Sequence, residues 1–266
     1  MKKFLCTVIA LSFFLLSACG EEVIKPNESG VDTSVENSDQ SETTSTEVTE
    51  STSDGEYSFE SSEQPFSEES SDEDVVYSGD YGYTLVNTVA MICAYKGKDT
   101  EITLPSELDG YTVTAVTDEA FSGNTSIKRI TLSDTVVNVG EGAFVGCSSL
   151  EYVFIGSSVA VLHSGAFDGC KALKEIDIPD TVKSIGSFAF TGCEKIDTVV
   201  IPESVTKIGE CAFAGMSALE RAVIPDSVKD IGKNAFHECE KLVIECSVGS
   251  AAEKYANENS ISCLEG

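Results

Sequence analysis

The chain has 266 residues, of which 45 are Asp or Glu and 17 are Lys or Arg, so its formal net charge at pH 7 is -28. A protein with this charge is repelled by the phosphates of nucleic acids and by anionic lipid head groups. The composition therefore argues against a nucleic-acid partner, and against a membrane surface unless the chain carries a covalent anchor.

An export signal is predicted at residues 1–19. Lys2 and Lys3 form a short basic region, an apolar run over residues 4–16 follows, and small residues lead to Cys19. This order is typical of a secretory signal. A run of about 13 apolar residues is too short to span a bilayer, which needs roughly 20.

The end of this signal is similar to a bacterial lipobox through the segment Leu16-Ser17-Ala18-Cys19. The resemblance implies cleavage before Cys19 and attachment of a diacylglycerol to its sulfur, so that the protein would reach the membrane only through this lipid anchor. Two acyl chains hold a protein on a membrane, whereas one chain binds only marginally. The alternative is an ordinary signal in which Cys19 is incidental.

A disordered, acidic and Ser/Thr-rich tether is predicted for residues 20–78. This segment contains twenty Ser or Thr residues, eighteen acidic residues and a single Lys. It has too few apolar residues to offset the entropy lost on ordering, and its like charges favour extended conformations. The remaining residues, 79–266, are numerous enough to form one domain with a continuous core.

Residues 79–118 are predicted to form an N-terminal cap and a first coil. Residues 83–86 and 90–93 are apolar segments that flank a turn signal, which predicts a β-hairpin. Residues 102–105 predict the first strand of a repeating unit. An insertion around Leu108-Asp109-Gly110 follows before the register of the repeat resumes.

A repeat of 23 residues occupies residues 119–246. The dipeptide Ala-Phe recurs in it, and every interval between its copies is 23 residues. Most copies carry a glycine two residues after the Phe, an Ile or Leu six residues after it, apolar residues at nine, eleven, fifteen and eighteen, and a second glycine at nineteen. The repeated phenylalanines are Phe121, Phe144, Phe167, Phe190, Phe213 and Phe236.

This spacing predicts one short strand and one turn per repeat. Apolar residues two apart place both side chains on one face of a strand, and Pro179, Pro202 and Pro225 end that strand because proline lacks a ladder donor. Both glycines are expected to supply turn conformations that other residues resist. Each repeat thus forms a coil with about six inward apolar side chains, which only stacked coils can bury.

The repeat resembles the BspA-type leucine-rich repeat of bacterial surface proteins over about residues 102–246. The shared pattern is Ala-Phe-x-Gly-Cys-x-x-Leu-x-x-Ile-x-Ile-Pro-x-Ser/Thr-Val-x-x-Ile-Gly. The resemblance implies a leucine-rich-repeat solenoid, which is a right-handed stack of 23-residue coils with a parallel β-sheet on one face. It also implies a surface protein that binds host or neighbouring-cell molecules. Ligands within the family vary, so the resemblance selects none.

Residues 247–266 are predicted to form a C-terminal helical cap. The segment Ser250-Ala251-Ala252-Glu253 is a capping box that opens a short helix. Ala252, Tyr255 and Ala256 give this helix one small apolar face. Solenoids need terminal units that do not stack further, and this helix fits that role.

Four cysteines share one repeat position, three residues after the Phe. Adjacent coils would bring their Cα atoms within reach of a disulfide, but parallel Cα–Cβ directions leave the Cβ atoms too far apart, so we expect buried thiols. These residues are Cys147, Cys170, Cys193 and Cys239.

Metal and catalytic sites are not expected. The segment His237-Glu238-Cys239 together with Cys246 offers three possible metal ligands, but the repeat already accounts for Cys239 and a fourth ligand is not evident. The chain has two histidines, His163 and His237, and neither lies in an arrangement suited to acid–base or nucleophilic catalysis. We therefore expect no metal, no cofactor and no enzymatic activity.

Candidate binding residues point outward from the predicted sheet, at eight and ten residues after the Phe. Several of them are apolar where water is expected, and exposed aromatic residues can mark a binding face. The alternative is that these residues are ordinary strand formers. The candidates are Tyr152, Phe154, Thr198, Val200, Arg221 and Val223.

The sequence as a whole favours an exported cell-surface lipoprotein that binds other macromolecules, as an adhesin or a protein-interaction module. Its expected partners are surface proteins of a host or of neighbouring cells. The alternative is a carbohydrate-binding or envelope-scaffolding lipoprotein that binds polysaccharide within its own cell wall. The chain contains no tryptophan, which favours protein ligands because sugar sites commonly use aromatic platforms.

Overall fold

A computed structural model describes residues 75–266. The predicted signal, the lipidation site Cys19 and all but the last four residues of the predicted tether lie outside the described residues. The helix in the described part of the chain is too short to cross a membrane.

The N-terminal cap is an antiparallel meander of three strands, β1 (Val76–Ser78), β2 (Tyr81–Val86) and β3 (Val89–Tyr95). Strands β2 and β3 confirm the predicted hairpin, and its turn contains Asn87 at φ 58°. Strand β1 falls at the end of the segment that the sequence predicts as a tether. It pairs only with β2, so it adds an edge to the cap.

The first coil contains β4 (Glu101–Thr103), β5 (Glu107–Leu108) and β6 (Tyr111–Val116). The predicted insertion forms a tight antiparallel hairpin between β5 and β6, and Asp109 and Gly110 both have positive φ in its turn. The Asp109 carboxylate accepts hydrogen bonds from the hydroxyl groups of Ser78 and Tyr83, at 2.8 and 2.9 Å. The insertion is thereby fastened to the hairpin cap.

Each following coil contributes a first short strand and, in every coil but the last, a second short strand after a turn. The first strands are β7 (Arg129–Thr131), β9 (Tyr152–Phe154), β11 (Glu175–Asp177), β13 (Thr198–Val200), β15 (Arg221–Val223) and β17 (Val243–Cys246). The second strands are β8 (Asn138–Val139), β10 (Val161–Leu162), β12 (Ser184–Ile185), β14 (Lys207–Ile208) and β16 (Asp230–Ile231).

The strands pair in parallel with their counterparts in neighbouring coils, which confirms the predicted leucine-rich-repeat solenoid. The first strands form two four-stranded ladders, β4-β7-β9-β11 and β13-β15-β17-β18, where β18 (Ser262–Glu265) follows the C-terminal helix. The second strands continue from β6 in one ladder, β8-β10-β12-β14-β16, which the sequence analysis did not predict. Between most repeats the register joins residues 23 apart, such as Val153 and Ile176.

The repeated phenylalanines form one column of stacked rings along the solenoid. Phe144, Phe167, Phe190 and Phe213 are almost completely buried, and neighbouring rings in this set lie 5.2–5.4 Å apart with interplanar angles of 4–7°. Contacts of this kind stabilise the fold beyond what the burial of each ring contributes. The stack therefore couples every coil to the next through one side chain.

Tyrosines from the two caps close this column. The ring of Tyr95 on β3 stacks on Phe121 at 5.6 Å, and the ring of Tyr255 meets Phe236 edge-on at 6.0 Å. The Tyr255 hydroxyl also accepts a hydrogen bond from the backbone N–H of Phe236 at 3.2 Å. Each cap thus places a tyrosine ring where the phenylalanine of a further coil would lie. The repeat ends there without exposing the core.

The C-terminal helix α1 (Ala251–Glu258) confirms the predicted cap. Ser250 accepts a hydrogen bond from the Glu253 N–H, as a capping box requires. The Glu253 carboxylate accepts its return hydrogen bond from the N–H of Gly249, one residue before the cap. The buried face consists of Ala252, Tyr255 and Ala256, as predicted.

The two repeated glycines have different roles, and the expectation that both serve turn conformations is wrong for the second. The first group has φ between 67° and 70° and consists of Gly123, Gly146, Gly169, Gly192 and Gly215. The second group lacks positive φ, but a Cβ there would lie 2.4–2.6 Å from a backbone atom of the preceding coil; it consists of Gly140, Gly186, Gly209 and Gly232. Close approach of neighbouring coils favours glycine at this position, although His163 occupies it in one coil.

The four repeat cysteines are buried thiols, as predicted. Each thiol donates a hydrogen bond across the coil boundary, for example from Cys147 Sγ to the Phe121 carbonyl at 3.1 Å and from Cys193 Sγ to the Phe167 carbonyl at 3.4 Å. Burial raises the pKa of Cys147 to about 11, so the sulfur stays protonated and able to donate. The Phe121 and Phe167 carbonyls also accept backbone hydrogen bonds, from the N–H groups of Asn124 and Cys170, so each thiol adds a second donor to a carbonyl that is already paired.

Candidate binding face

The predicted binding residues lie on the outer surface of the first-strand ladders. Their inward neighbours Val153, Val199 and Ala222 are buried, and alternation along each strand turns the candidates the other way. Phe154 is 48% exposed and Val200 is 54% exposed. Thr198 and Arg221 are exposed, whereas Tyr152 and Val223 are half-buried.

Tyr152 and Phe154 on β9 form one cluster with cations from the neighbouring coils. The Arg129 guanidinium lies 4.5 Å from the centroid of the Tyr152 ring and 5.9 Å from that of Phe154. The Lys174 ammonium lies 5.1 Å from the Tyr152 centroid and forms an ion pair with Glu151. This pairing lowers the pKa of the Glu151 carboxyl and raises that of Lys174. The cluster thus consists of the exposed Phe154 ring and the neighbouring Tyr152 ring, which has a cation on either side.

The other four candidates form a separate group on β13 and β15. Thr198 is paired with Arg221, and Val200 with Val223, so the two valines lie side by side. The Arg221 guanidinium reaches to β17 and donates two hydrogen bonds to Glu245 Oε2, at 2.6 and 2.8 Å. Arg221 therefore already has a partner across the ladder, and the valine pair is the apolar part of this group.

Strand β11 separates the two groups. It presents Glu175 and Asp177, both exposed, at the positions that correspond to Tyr152 and Phe154. The hydrogen-bonded ladder is also interrupted between β11 and β13, although these strands are neighbours in the stack. The structure thus places the six candidates on one surface but does not bring them into a single site.

Two residues outside the predicted set belong to this surface. Arg129 stands directly beside Tyr152 in the register, and the 23-residue spacing already gives it an outward position. Leu264 on β18 is 60% exposed on the last strand of the second ladder. The sequence gives no signal for Leu264, because β18 lies beyond the repeats and its pairing depends on the helix that precedes it.

A second surface lies over the turns that precede the phenylalanines. A shallow groove of about 360 Å³ is lined there by Glu141, Asp168 and Phe188, among others. Phe188 is 43% exposed and has φ 59°. Positive φ is shared by every residue at this repeat position, namely Glu119, Gly142, Gly165, Cys211 and Asn234. Burial raises the pKa of the Asp168 carboxyl. A bulky residue in this conformation was not predicted from the sequence.

Within residues 75–266 there is no group of three His, Cys, Asp or Glu side chains arranged to hold a metal ion. His237 and Glu238 come within 3.9 Å of each other at the surface of the last coil. The Cys239 sulfur instead donates to the Phe213 carbonyl at 3.1 Å, in line with the other repeat cysteines.

A family profile described as "BspA type Leucine rich repeat region" matches residues 114–243 as six copies. The repeat domain belongs to the BspA-type leucine-rich repeat family. Repeats of this type occur in bacterial surface proteins, and the fold is a scaffold for protein interaction. A search of curated proteins finds no match to the chain.

Solved structures of bacterial leucine-rich-repeat proteins are similar to this chain. A T. pallidum leucine-rich-repeat protein is 26% identical with a TM-score of 0.63, and the match covers 71% of this chain and 97% of that one. A Bacteroides ovatus leucine-rich-repeat protein is 32% identical with a TM-score of 0.60, covering 64% and 46%. A leucine-rich cell surface protein of Faecalibacterium prausnitzii is 30% identical with a TM-score of 0.52, covering 65% and 54%. The chain spans about half the length of the latter two proteins.

Proposed function

We propose that this protein is a lipid-anchored adhesin or protein-interaction module of the bacterial cell surface, which binds a surface protein of a host or neighbouring cell through its outer sheet face. The observation that supports this proposal most is the cluster of Tyr152, Phe154 and Arg129. Aromatic residues and arginine are the residue types that dominate protein–protein binding energies.

The position of this cluster favours tight binding. Its side chains project from a hydrogen-bonded ladder whose inward residues are buried, so the backbone below them is fixed. A rigid surface loses little conformational entropy on binding. Around Phe154, the charged residues Arg129, Glu175 and Asp177 would form the polar rim that protein interfaces use to surround an apolar centre.

The same geometry favours a protein ligand over a polysaccharide. A sugar platform requires an open aromatic face, but the Tyr152 ring is flanked by Arg129 and Lys174 from the coils on either side. Phe154 alone is too small a platform for an extended glycan. A protein partner with charged groups of both signs can pair with the mixed charges near the rings.

Capture with the immobilised chain tests the proposal. The chain lacking residues 1–18 is exposed separately to labelled surface proteins of host or neighbouring cells and to cell-wall polysaccharide. Saturable retention of a protein, with none of the polysaccharide, is expected. Retention of polysaccharide alone would instead support a role inside the cell wall.

Accessibility on intact cells tests the location. Antibodies against the repeat domain should label unpermeabilised cells, because an adhesin must be reachable from outside. Labelling only after the envelope has been opened would contradict surface display.

A further inference from the structure

The end of the chain brings two cysteines outside the repeat column into contact. After helix α1, strand β18 returns to lie parallel to β17, with Cys263 opposite Ile244 and Glu265 opposite Cys246. Side chains two residues apart on a strand point to the same side of a sheet. Cys246 and Cys263 are therefore diagonal neighbours on one side of the β17–β18 pair.

Their sulfur atoms lie 2.6 Å apart. Non-bonded carbon atoms rest at about 3.5–4.0 Å, and sulfur is larger, so two separate thiols do not settle at this distance. The bonded distance between two sulfurs is about 2.05 Å. By contrast, Cys147 and Cys239 of the repeat column each donate to a carbonyl oxygen at 3.1 Å.

From this geometry we propose that Cys246 and Cys263 form a disulfide that locks the C-terminal cap onto the last coil. The two residues are 17 apart in sequence, and the loop between them contains all of helix α1. The bond would hold β18 at the edge of the ladder. It would also hold the ring of Tyr255 against the end of the aromatic column.

Disulfide exchange with a low-molecular-weight disulfide such as cystine supplies a balanced route. The Cys263 sulfur is half-buried and can be reached from solvent; as its thiolate it attacks one sulfur of the small disulfide, which breaks the S–S bond, releases one small thiol that takes up the proton, and leaves a mixed disulfide. The Cys246 thiolate then attacks the Cys263 sulfur and displaces the second small thiol. Two protein thiols are oxidised, and one external disulfide is reduced to two thiols.

The order of these steps follows from the surroundings of the two sulfurs. Burial, and next the neighbouring Cys263 thiol, raise the pKa of Cys246. Cys246 is buried whereas Cys263 is half-buried, so a small disulfide reaches the Cys263 sulfur first and Cys246 then attacks the mixed disulfide. Oxidising conditions of this kind are found outside the cytoplasm, which agrees with the predicted export signal.

Mass spectrometry of the purified full chain tests the bond. After equilibration with cystine, alkylation under denaturing conditions and digestion without reductant, one cross-linked peptide pair containing Cys246 and Cys263 is expected. Reduction before alkylation should convert the pair into two alkylated peptides. Recovery of both cysteines as alkylated thiols after oxidation, or of each linked to another cysteine, would overturn the proposal.

Thermal unfolding of the same protein provides a second measurement. Oxidised wild type should melt about 5 °C or more above the reduced protein, because the bond constrains the unfolded chain. Cys263→Ser should abolish this difference. The matched control is Cys93→Ser, which changes another half-buried cysteine and should leave both the difference and the cross-linked peptides unchanged. Equal melting of oxidised and reduced wild type would count against a cap held by this bond.

Discussion

Replacing Phe190 by alanine tests whether the aromatic column holds the coils together. The Phe190 ring is fully buried and lies 5.4 Å from the rings of both Phe167 and Phe213, with interplanar angles of 6° and 7°. The substitution removes both ring contacts and leaves a cavity between two coils. Burial and cavity terms together should lower the free energy of unfolding by about 3–5 kcal/mol.

Two further variants calibrate this loss in urea-unfolding measurements. Phe236→Ala should cost less than Phe190→Ala, because Phe236 has a stacked ring on one side and only an edge contact with Tyr255 on the other. Phe188→Ala removes the same side chain from an exposed turn and should cost about 1 kcal/mol or less. Equal losses at Phe188 and Phe190 would refute the stacked-coil account.

Other predictions concern the glycines, the strained turn and the anchor. Gly209→Ala should lower the free energy of unfolding by about 1–3 kcal/mol, because its Cβ would lie 2.4 Å from the backbone nitrogen of Ser187; urea unfolding measures this. Phe188→Gly should be about 1 kcal/mol more stable than Phe188→Ala, since only glycine adopts φ near 59° without strain, and equal stabilities would show that the turn relaxes. Cys19→Ala should release the protein from the membrane fraction, and a variant that is cleaved normally yet stays membrane-bound would exclude lipidation as the anchor.

The fold could be predicted from the sequence wherever the 23-residue period applies. The Ala-Phe spacing places each phenylalanine in the column, and the capping box at Ser250 places the terminal helix. Strands β1 and β18 could not be predicted from the sequence. Each is an edge strand outside the repeats, and its pairing depends on how the N-terminal or C-terminal cap folds. The role of the second group of glycines was predicted wrongly for a related reason. Sequence patterns indicate local turns, whereas the close Cβ contact that favours glycine here is made with a neighbouring coil.

The candidate site could be predicted only in part. Strand alternation gives the outward direction of Tyr152 and Phe154, and the structure agrees. The interruption of the ladder beside β11 and the cation contacts of Tyr152 depend on three-dimensional packing between coils. The Cys246–Cys263 contact could not be predicted either, since neither residue occupies the position that the four repeat cysteines share.

The measurement that most directly tests the binding face is the affinity of a Tyr152→Ser/Phe154→Ser variant for the protein partner that capture identifies. Phe154 is about half exposed and Tyr152 is half-buried, so the free energy of unfolding should fall by about 2 kcal/mol or less. The matched control is Lys183→Ser/Lys207→Ser, on the second-strand side of the solenoid. Affinity should fall at least tenfold in the aromatic variant, about 1.4 kcal/mol, and stay unchanged in the control. Unchanged affinity in a stably folded aromatic variant would contradict binding through the sheet face.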